Sequence, residues 1–393
     1  MASIITFILL FNTAIVISPI FYQFSRIGSF AFLTLLALSV LLWFKTRKSK
    51  NVKNYFVLMF LFLFLFICAS IYWQDAGLVH YPKYFIVALL IVALIDLDLK
   101  KRYINWLSWF ILLQVTLALV GFIYAAFGGQ PILEITITTG RPFPLYLTSF
   151  SVTKYANFIR PSGLFDEPGA LSFLICFVVM LREANGFKRS FNYLILSLGL
   201  ITLSLAHILF VIAYIFYCFF VLRSKQSVVL LAVSILLLFL LLPFLPNLDY
   251  ITNYYISRSS SDLGGGGRSG LFETAWTYLS NSDLHVYIWG ISSSCLTDYN
   301  ANCRYVFPRM GENILSPLVF GGITTSWFYY LSPIVIFILA LRYPYYYIIP
   351  FAFIVLFFQR PYMYNISYSL MYAFVLLEAM NAWLKVKKVE VQA

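Results

Sequence analysis

Arg160-Pro161-Ser162-Gly163-Leu164-Phe165-Asp166-Glu167-Pro168-Gly169 puts a cation, two carboxylates, two prolines and two glycines into ten residues of an otherwise apolar chain. The apolar run Ala170 to Leu181 follows at once. A rigid charged turn therefore meets a helix. Pro168 suits the first helical position, because the N–H it lacks has no intrahelical partner there. Apolar helices joined by polar turns at a membrane surface are the pattern this stretch sets for the rest of the chain.

Composition agrees. Of 393 residues, 62% are hydrophobic and 11% charged, against about 25% charged in a soluble domain. Apolar runs near the ~20 residues needed to cross a bilayer recur throughout. The fold class read from this is all-α: one polytopic transmembrane domain over 1–393, with about twelve spans. They are placed at 4–22, 28–44, 55–73, 83–97, 104–127, 168–182, 191–206, 208–222, 227–245, 316–341, 344–358 and 364–384. The pair meeting at His207 forms either a tight hairpin or one kinked segment. The start, Met1 to Tyr22, has no basic leader and no small-residue cleavage site, so it reads as a retained span rather than a signal peptide.

Lys and Arg set the orientation. With both termini in the cytoplasm, the inner loops carry most of the 27 basic residues. Lys45 to Lys53, Lys100 to Arg102, Arg182 to Arg189, Arg223, Lys225, Arg342 and Lys385 to Lys388 all fall there. The short outer loops hold only Arg26, Lys83 and Arg360. Basic residues retained on the cytoplasmic side also account for the net charge of +12 without nucleic acid. Asp75, Asp96 and Glu378 lie near span ends, where solvation at the interface is the expectation. No ladder of intramembrane carboxylates of the proton-transporter kind is present.

Two long loops, 128–167 and 246–315, are then external. The first holds a β-branched patch, Ile135 to Thr139, suited to an extended segment. The second holds Gly264 to Gly267, then Arg268 to Leu279, where Leu271, Ala275, Tyr278 and Leu279 recur at helical spacing. An amphipathic helix starting at Arg268 is expected along the outer surface. Cys295 and Cys303 share this loop and form either a disulfide, if that side is oxidising, or two free thiols. Cys68, Cys176 and Cys218 fall in spans and act as small apolar side chains.

The outer loops carry the candidate chemistry. Arg160 suits phosphate, because its planar fork donates two parallel hydrogen bonds. Arg268, after four glycines and at a helix start, is a second anion site or a solvated linker cation. Arg258, Arg304 and Arg309 add charge to the same loop. Glu167 is either a carboxylate stabilised by the helix dipole, at about 0.3–1 kcal/mol, or a base. Glu312-Asn313 is a base with a hydrogen-bonding neighbour, or a helix cap. His285 reads as structural, and His80 and His207 carry no pattern. No zinc spacing, phosphate loop, dinucleotide fingerprint or nucleophile elbow is present, so neither metal nor cofactor is expected. Aromatic loops with arginines suit a lipid-linked sugar diphosphate; an anionic phospholipid or a peptide fits the same charges.

Three stretches resemble the O-antigen polymerase (Wzy) family, within the superfamily that includes the O-antigen ligases. Arg160 to Gly169 looks like its Arg-x-x-Gly-x-x-x-Glu-Pro turn. Arg268 with the helix containing Trp276, followed by Gly290, looks like its second arginine element. Glu312-Asn313 through Gly321-Gly322 looks like the polar pair and glycine that open the next span. Ligases have a histidine where this chain has Glu312, which favours a polymerase.

The resemblance implies a GT-C-like, inverting, metal-independent glycosyltransferase of the bacterial inner membrane. A growing glycan leaves its undecaprenyl diphosphate carrier and joins a hydroxyl of a new lipid-linked repeat unit at the periplasmic face. Arg160, Arg268, Arg258 and Arg309 would bind diphosphate, and Glu312 or Glu167 would receive the acceptor proton. Expected partners are the undecaprenyl-diphosphate-linked oligosaccharide, membrane lipid, a chain-length regulator and a flippase. Rival readings are a ligase with lipid A-core as acceptor, an assembly protein, and a lipid-linked-sugar or polysaccharide transporter. The transporter predicts charges within spans and helices broken at mid-membrane.

Overall fold

The computed structural model describes residues 2–22, 27–46, 64, 67–68, 71, 82–136, 142–151, 154–155, 158–224, 268–291, 313–357 and 366–392, and these are mostly helical. The expected span at 227–245, most of 55–73, Cys295, Cys303, Arg258, Arg304, Arg309 and Glu312 lie outside them.

Helix α1 (Ala2–Thr13) ends well short of the expected 4–22. Asn12 and Thr13 donate back to the carbonyls of Ile8 and Leu9 at 2.9 and 2.7 Å. Pro19 then drives Ser18 to extended backbone, with φ −76° and ψ 138°. Next come α2 (Ile27–Thr46), α3 (Pro82–Leu94) and α4 (Leu97–Ala126). Asp96 is exposed and caps α4, its carboxylate accepting the Leu99 N–H at 2.8 Å. That fits an interfacial charge.

Glu378 does not fit that description. It sits on α12 (Ile366–Gln392), 4% exposed, and its Oε1 is 2.8 Å from Lys100 Nζ of α4. The charge is neutralised by a partner rather than by water, which is what burial of a carboxylate demands.

Helix α5 (Pro168–Ala184) is the central pillar. Its apolar residues from Ala170 to Leu181 are all buried, so every side of it meets protein. Phe173 packs on Phe353, Phe357 and Tyr368 with ring centroids 4.9, 5.0 and 5.3 Å away. Phe353 and Phe357 belong to α11 (Pro344–Phe357) and Tyr368 to α12.

The two segments that meet at His207 form a hairpin. Helix α6 (Arg189–Gly199) runs into a 3-10 turn (Leu200–Thr202). Leu203 then takes a left-handed conformation, φ 48°, and α7 (Leu205–Phe216) returns. The return is fixed by Tyr214 Oη, which donates to Glu183 Oε1 at 2.5 Å beside the start of α6. The outgoing arm, fourteen residues at 1.5 Å each, rises about 20 Å. The break falls four residues before His207, which is buried and bonded through Nε2 to the Leu196 carbonyl at 2.8 Å.

The first loop is not purely irregular. Strands β1 (Leu133–Thr136), β2 (Pro142–Tyr146) and β3 (Ser149–Phe150) form an antiparallel sheet, with Ile135 opposite Phe143. Strands β4 (Lys154–Tyr155) and β5 (Phe158–Ile159) pair separately. In the second loop α8 (Arg268–Ser280) and α9 (Leu284–Trp289) dock on α10 (Ser316–Arg342). Ala275, Leu279, Val286 and Val319 make the shared core, with Tyr278 packed at its edge, so Ala275 and Leu279 of the apolar face expected of α8 are buried against protein.

By length and composition two described helices can cross a membrane, Leu97–Ala126 and Ile366–Lys387. Among the shorter apolar helices, Ser18 follows Ala2–Ile17, Leu203 precedes Leu205–Val221, and Gly322 precedes Ser326–Arg342.

Candidate functional site at the clasp between Arg160 and the hairpin tip

The decade of residues that sets the fold is held from three sides. Ser149 Oγ accepts the N–H groups of Ser162 and Gly163 at 3.1 and 3.0 Å. The Ser162 hydroxyl lies 2.6 Å from the Phe165 carbonyl and 2.8 Å from that of Phe150. Gln114 Oε1 accepts the Leu164 N–H at 2.9 Å. Gly163 must be glycine: φ is +61°, and a Cβ would stand 2.8 Å from the Gln114 carbonyl oxygen. Phe165 is buried beside Phe110 of α4.

These contacts place the turn well down the side of α4. Gln114 is about 26 Å from the start of that helix and about 18 Å from its end, at 1.5 Å per residue. Thr148 Oγ1 donates to the Leu117 carbonyl at 2.7 Å, and Gly121 gives the sheet its close approach, since a Cβ there would lie 2.5 Å from that of Ser149. The first loop therefore descends along α4 instead of lying over its end.

Arg160 is 8% exposed. Its Nε donates to the Thr202 carbonyl at 3.3 Å, and an Nη donates to the Leu203 carbonyl at 3.1 Å. A helix end leaves carbonyls without intrahelical donors, and a cation there also meets the negative end of the helix dipole. The hairpin tip is tied to α5 as well: Thr202 Oγ1 and Ser172 Oγ are 2.7 Å apart. Arg160 thus clasps the first loop to the tip of the hairpin. The expected anion ligand spends at least two of its N–H groups on protein carbonyls.

Glu167 is the N-cap residue of α5, with extended backbone (φ −142°, ψ 148°) and Pro168 following in the first turn. Its carboxylate makes no capping hydrogen bond to the helix. The cap position expected for Glu167 is the one the backbone takes. Arg268 begins α8, as the glycine run suggests. Asn313 is 6% exposed and turns the chain just ahead of α10: its Oδ1 accepts the Leu315 N–H at 2.8 Å and its own N–H donates to Ser316 Oγ at 3.1 Å, while the N-cap position itself is Leu315. His285 is exposed, with Asp283 Oδ2 3.9 Å from its Nδ1.

The first loop and the second dock on different helices, α4 and α10. What joins them to the bundle was only partly legible. Gln114 is an amide in the middle of the apolar run 104–127, and Thr202 lies in another; each was a visible signal of a polar contact within the bundle. Nothing local marked Ser149. Among the described residues, no group of three or more His, Cys, Asp or Glu is placed to hold a metal ion. No family model, curated protein or solved structure matches this chain significantly.

Proposed function

We propose that the chain is a polytopic glycosyltransferase of the O-antigen polymerase kind, in a bacterial inner membrane with both termini cytoplasmic. The observation that carries the topology is spatial. Lys100 and Lys101 at the start of α4, Arg189 at the start of α6 and Lys385 in the last turns of α12 are far apart in sequence, yet they line one cavity. The Arg160 turn sits toward the opposite end of α4. That is the arrangement a multi-pass bundle obeying the positive-inside rule requires. If α4 spans, the turn and hairpin tip lie within the outer half of the ~30 Å hydrocarbon layer. Irregular backbone at such a depth is tolerated where protein or a water-filled cavity surrounds it, which suits a site receiving a lipid-linked substrate from the side.

In this reading Arg160 holds the turn, and the diphosphate falls chiefly to Arg268, Arg258 and Arg309 of the second loop. Their charge offsets the charge developing on the leaving diphosphate. Glu167 or Glu312 takes the proton of the acceptor hydroxyl. A second reading draws on the broken hairpin at Leu203: a lipid-linked-sugar transporter uses discontinuous helices of this sort. One experiment separates them. Purified protein in vesicles receives a lipid-linked repeat unit without added nucleotide or metal. The polymerase reading expects a ladder of products on a gel; movement of substrate between leaflets with no ladder overturns it in favour of the transporter.

A further inference from the structure

We propose that the cavity at the lysine-rich end binds the phosphodiester headgroup of an anionic glycerophospholipid. The inference rests on the membrane-embedded part of the reading above and not on the transferase part. The cavity has a volume of about 760 Å³ and opens where the α3–α4 and α5–α6 junctions meet α11 and α12.

Its charges divide into two groups. Lys100 is paired with Glu378 at 2.8 Å, and Arg189 Nε with Glu183 Oε2 at 3.1 Å. Glu183 is further engaged by Tyr214 and by Asn192 Nδ2 at 2.9 Å. Asp96, also on the lining, is held by the Leu99 amide. The lining carboxylates therefore already have partners. Lys101 and Lys385 are different: both are exposed, both line the cavity, and among the described residues neither makes an ion pair. A ligand here meets two lysines that no described carboxylate pairs with.

The remaining walls choose among anions. Val92, Ile349, Pro350 and Leu377 give an apolar side, and Tyr345 and Tyr346 an aromatic one. A free phosphate leaves these surfaces wet. An amphiphile uses both halves, with its headgroup at the lysines and the start of an acyl chain along the aliphatic wall. Basic pockets between spans on the cytoplasmic side suit such headgroups.

The test uses the full chain purified in an uncharged detergent. Short-chain phosphatidylglycerol, phosphatidylcholine of the same chain length, and inorganic phosphate are titrated separately, and bound ligand is counted by native mass spectrometry. Phosphatidylglycerol is expected to bind one to one and in preference to the other two. Each lysine near an anionic lipid is worth about fivefold in binding, so Lys101→Gln with Lys385→Gln weakens it about 25-fold. Lys387→Gln is the control: Lys387 lies on the same helix, 5.4 Å from the Trp383 ring centroid, and does not line this cavity. It should leave binding unchanged. Equal binding of the two lipids overturns the proposal. So does an equal loss with Lys387→Gln, which would mean diffuse surface attraction, and so does inorganic phosphate binding as tightly as the lipid.

Discussion

Replacing Arg160 by methionine keeps most of the side chain's volume and removes its donors. The Thr202 carbonyl belongs to a fully buried residue and that of Leu203 to a half-buried one. An orphaned buried acceptor costs about 1–3 kcal/mol, and the lost cation at a helix end adds about 0.3–1 kcal/mol. With Leu203 partly reachable by water, the sum is about 2–4 kcal/mol. At roughly 1.2 °C per kcal/mol for a chain of this size, the melting temperature should fall by about 2–5 °C. Arg160→Lys keeps the charge but reaches fewer acceptors at a time, and should fall about half as far. The assay is thermal unfolding of the detergent-purified protein, followed by the size-exclusion peak of a fluorescent fusion. A methionine variant that melts with the unaltered protein yet forms no polymer would refute the clasp, and would place the guanidinium on the substrate instead.

Two other outcomes follow from the geometry. Gly322 has φ 60° and ψ −178°, a region open almost only to glycine, and a Cβ there would lie 2.3 Å from the Ile288 carbonyl oxygen. Gly322→Ala should cost about 2–5 kcal/mol and loosen α8 and α9 from α10, read as lost hydrogen-exchange protection over 268–291; unchanged protection would mean the backbones can part freely. Lys100→Met leaves Glu378 buried and alone and should cost about 3–5 kcal/mol, while adding Glu378→Leu should recover most of it. A double variant as unstable as the single one would show that the pair is held for something other than charge balance.

The sequence by itself determined the helical class, most helix boundaries and the local grammar of the turn. Pro168 begins α5 and Arg268 begins α8, because proline and glycine effects act within a few residues; the start of α4 was not legible, since its first turns carry Lys100 to Arg102, which read as a loop ahead of a span beginning at 104. The positions of Ser18 and Leu203 as breaks were less legible, since short apolar stretches on both sides look continuous by hydropathy alone. Tertiary structure decided the roles of the charges. Arg160 looks like an anion site in sequence and meets two carbonyls more than forty residues away. Glu378 looks like an interfacial carboxylate and meets a lysine 278 residues away. A guanidinium or carboxylate carries the same charge wherever it stands. Whether it serves a substrate, a helix end or an ion pair depends on which donors and acceptors the packed helices bring within about 3 Å of it, and no local pattern encodes that.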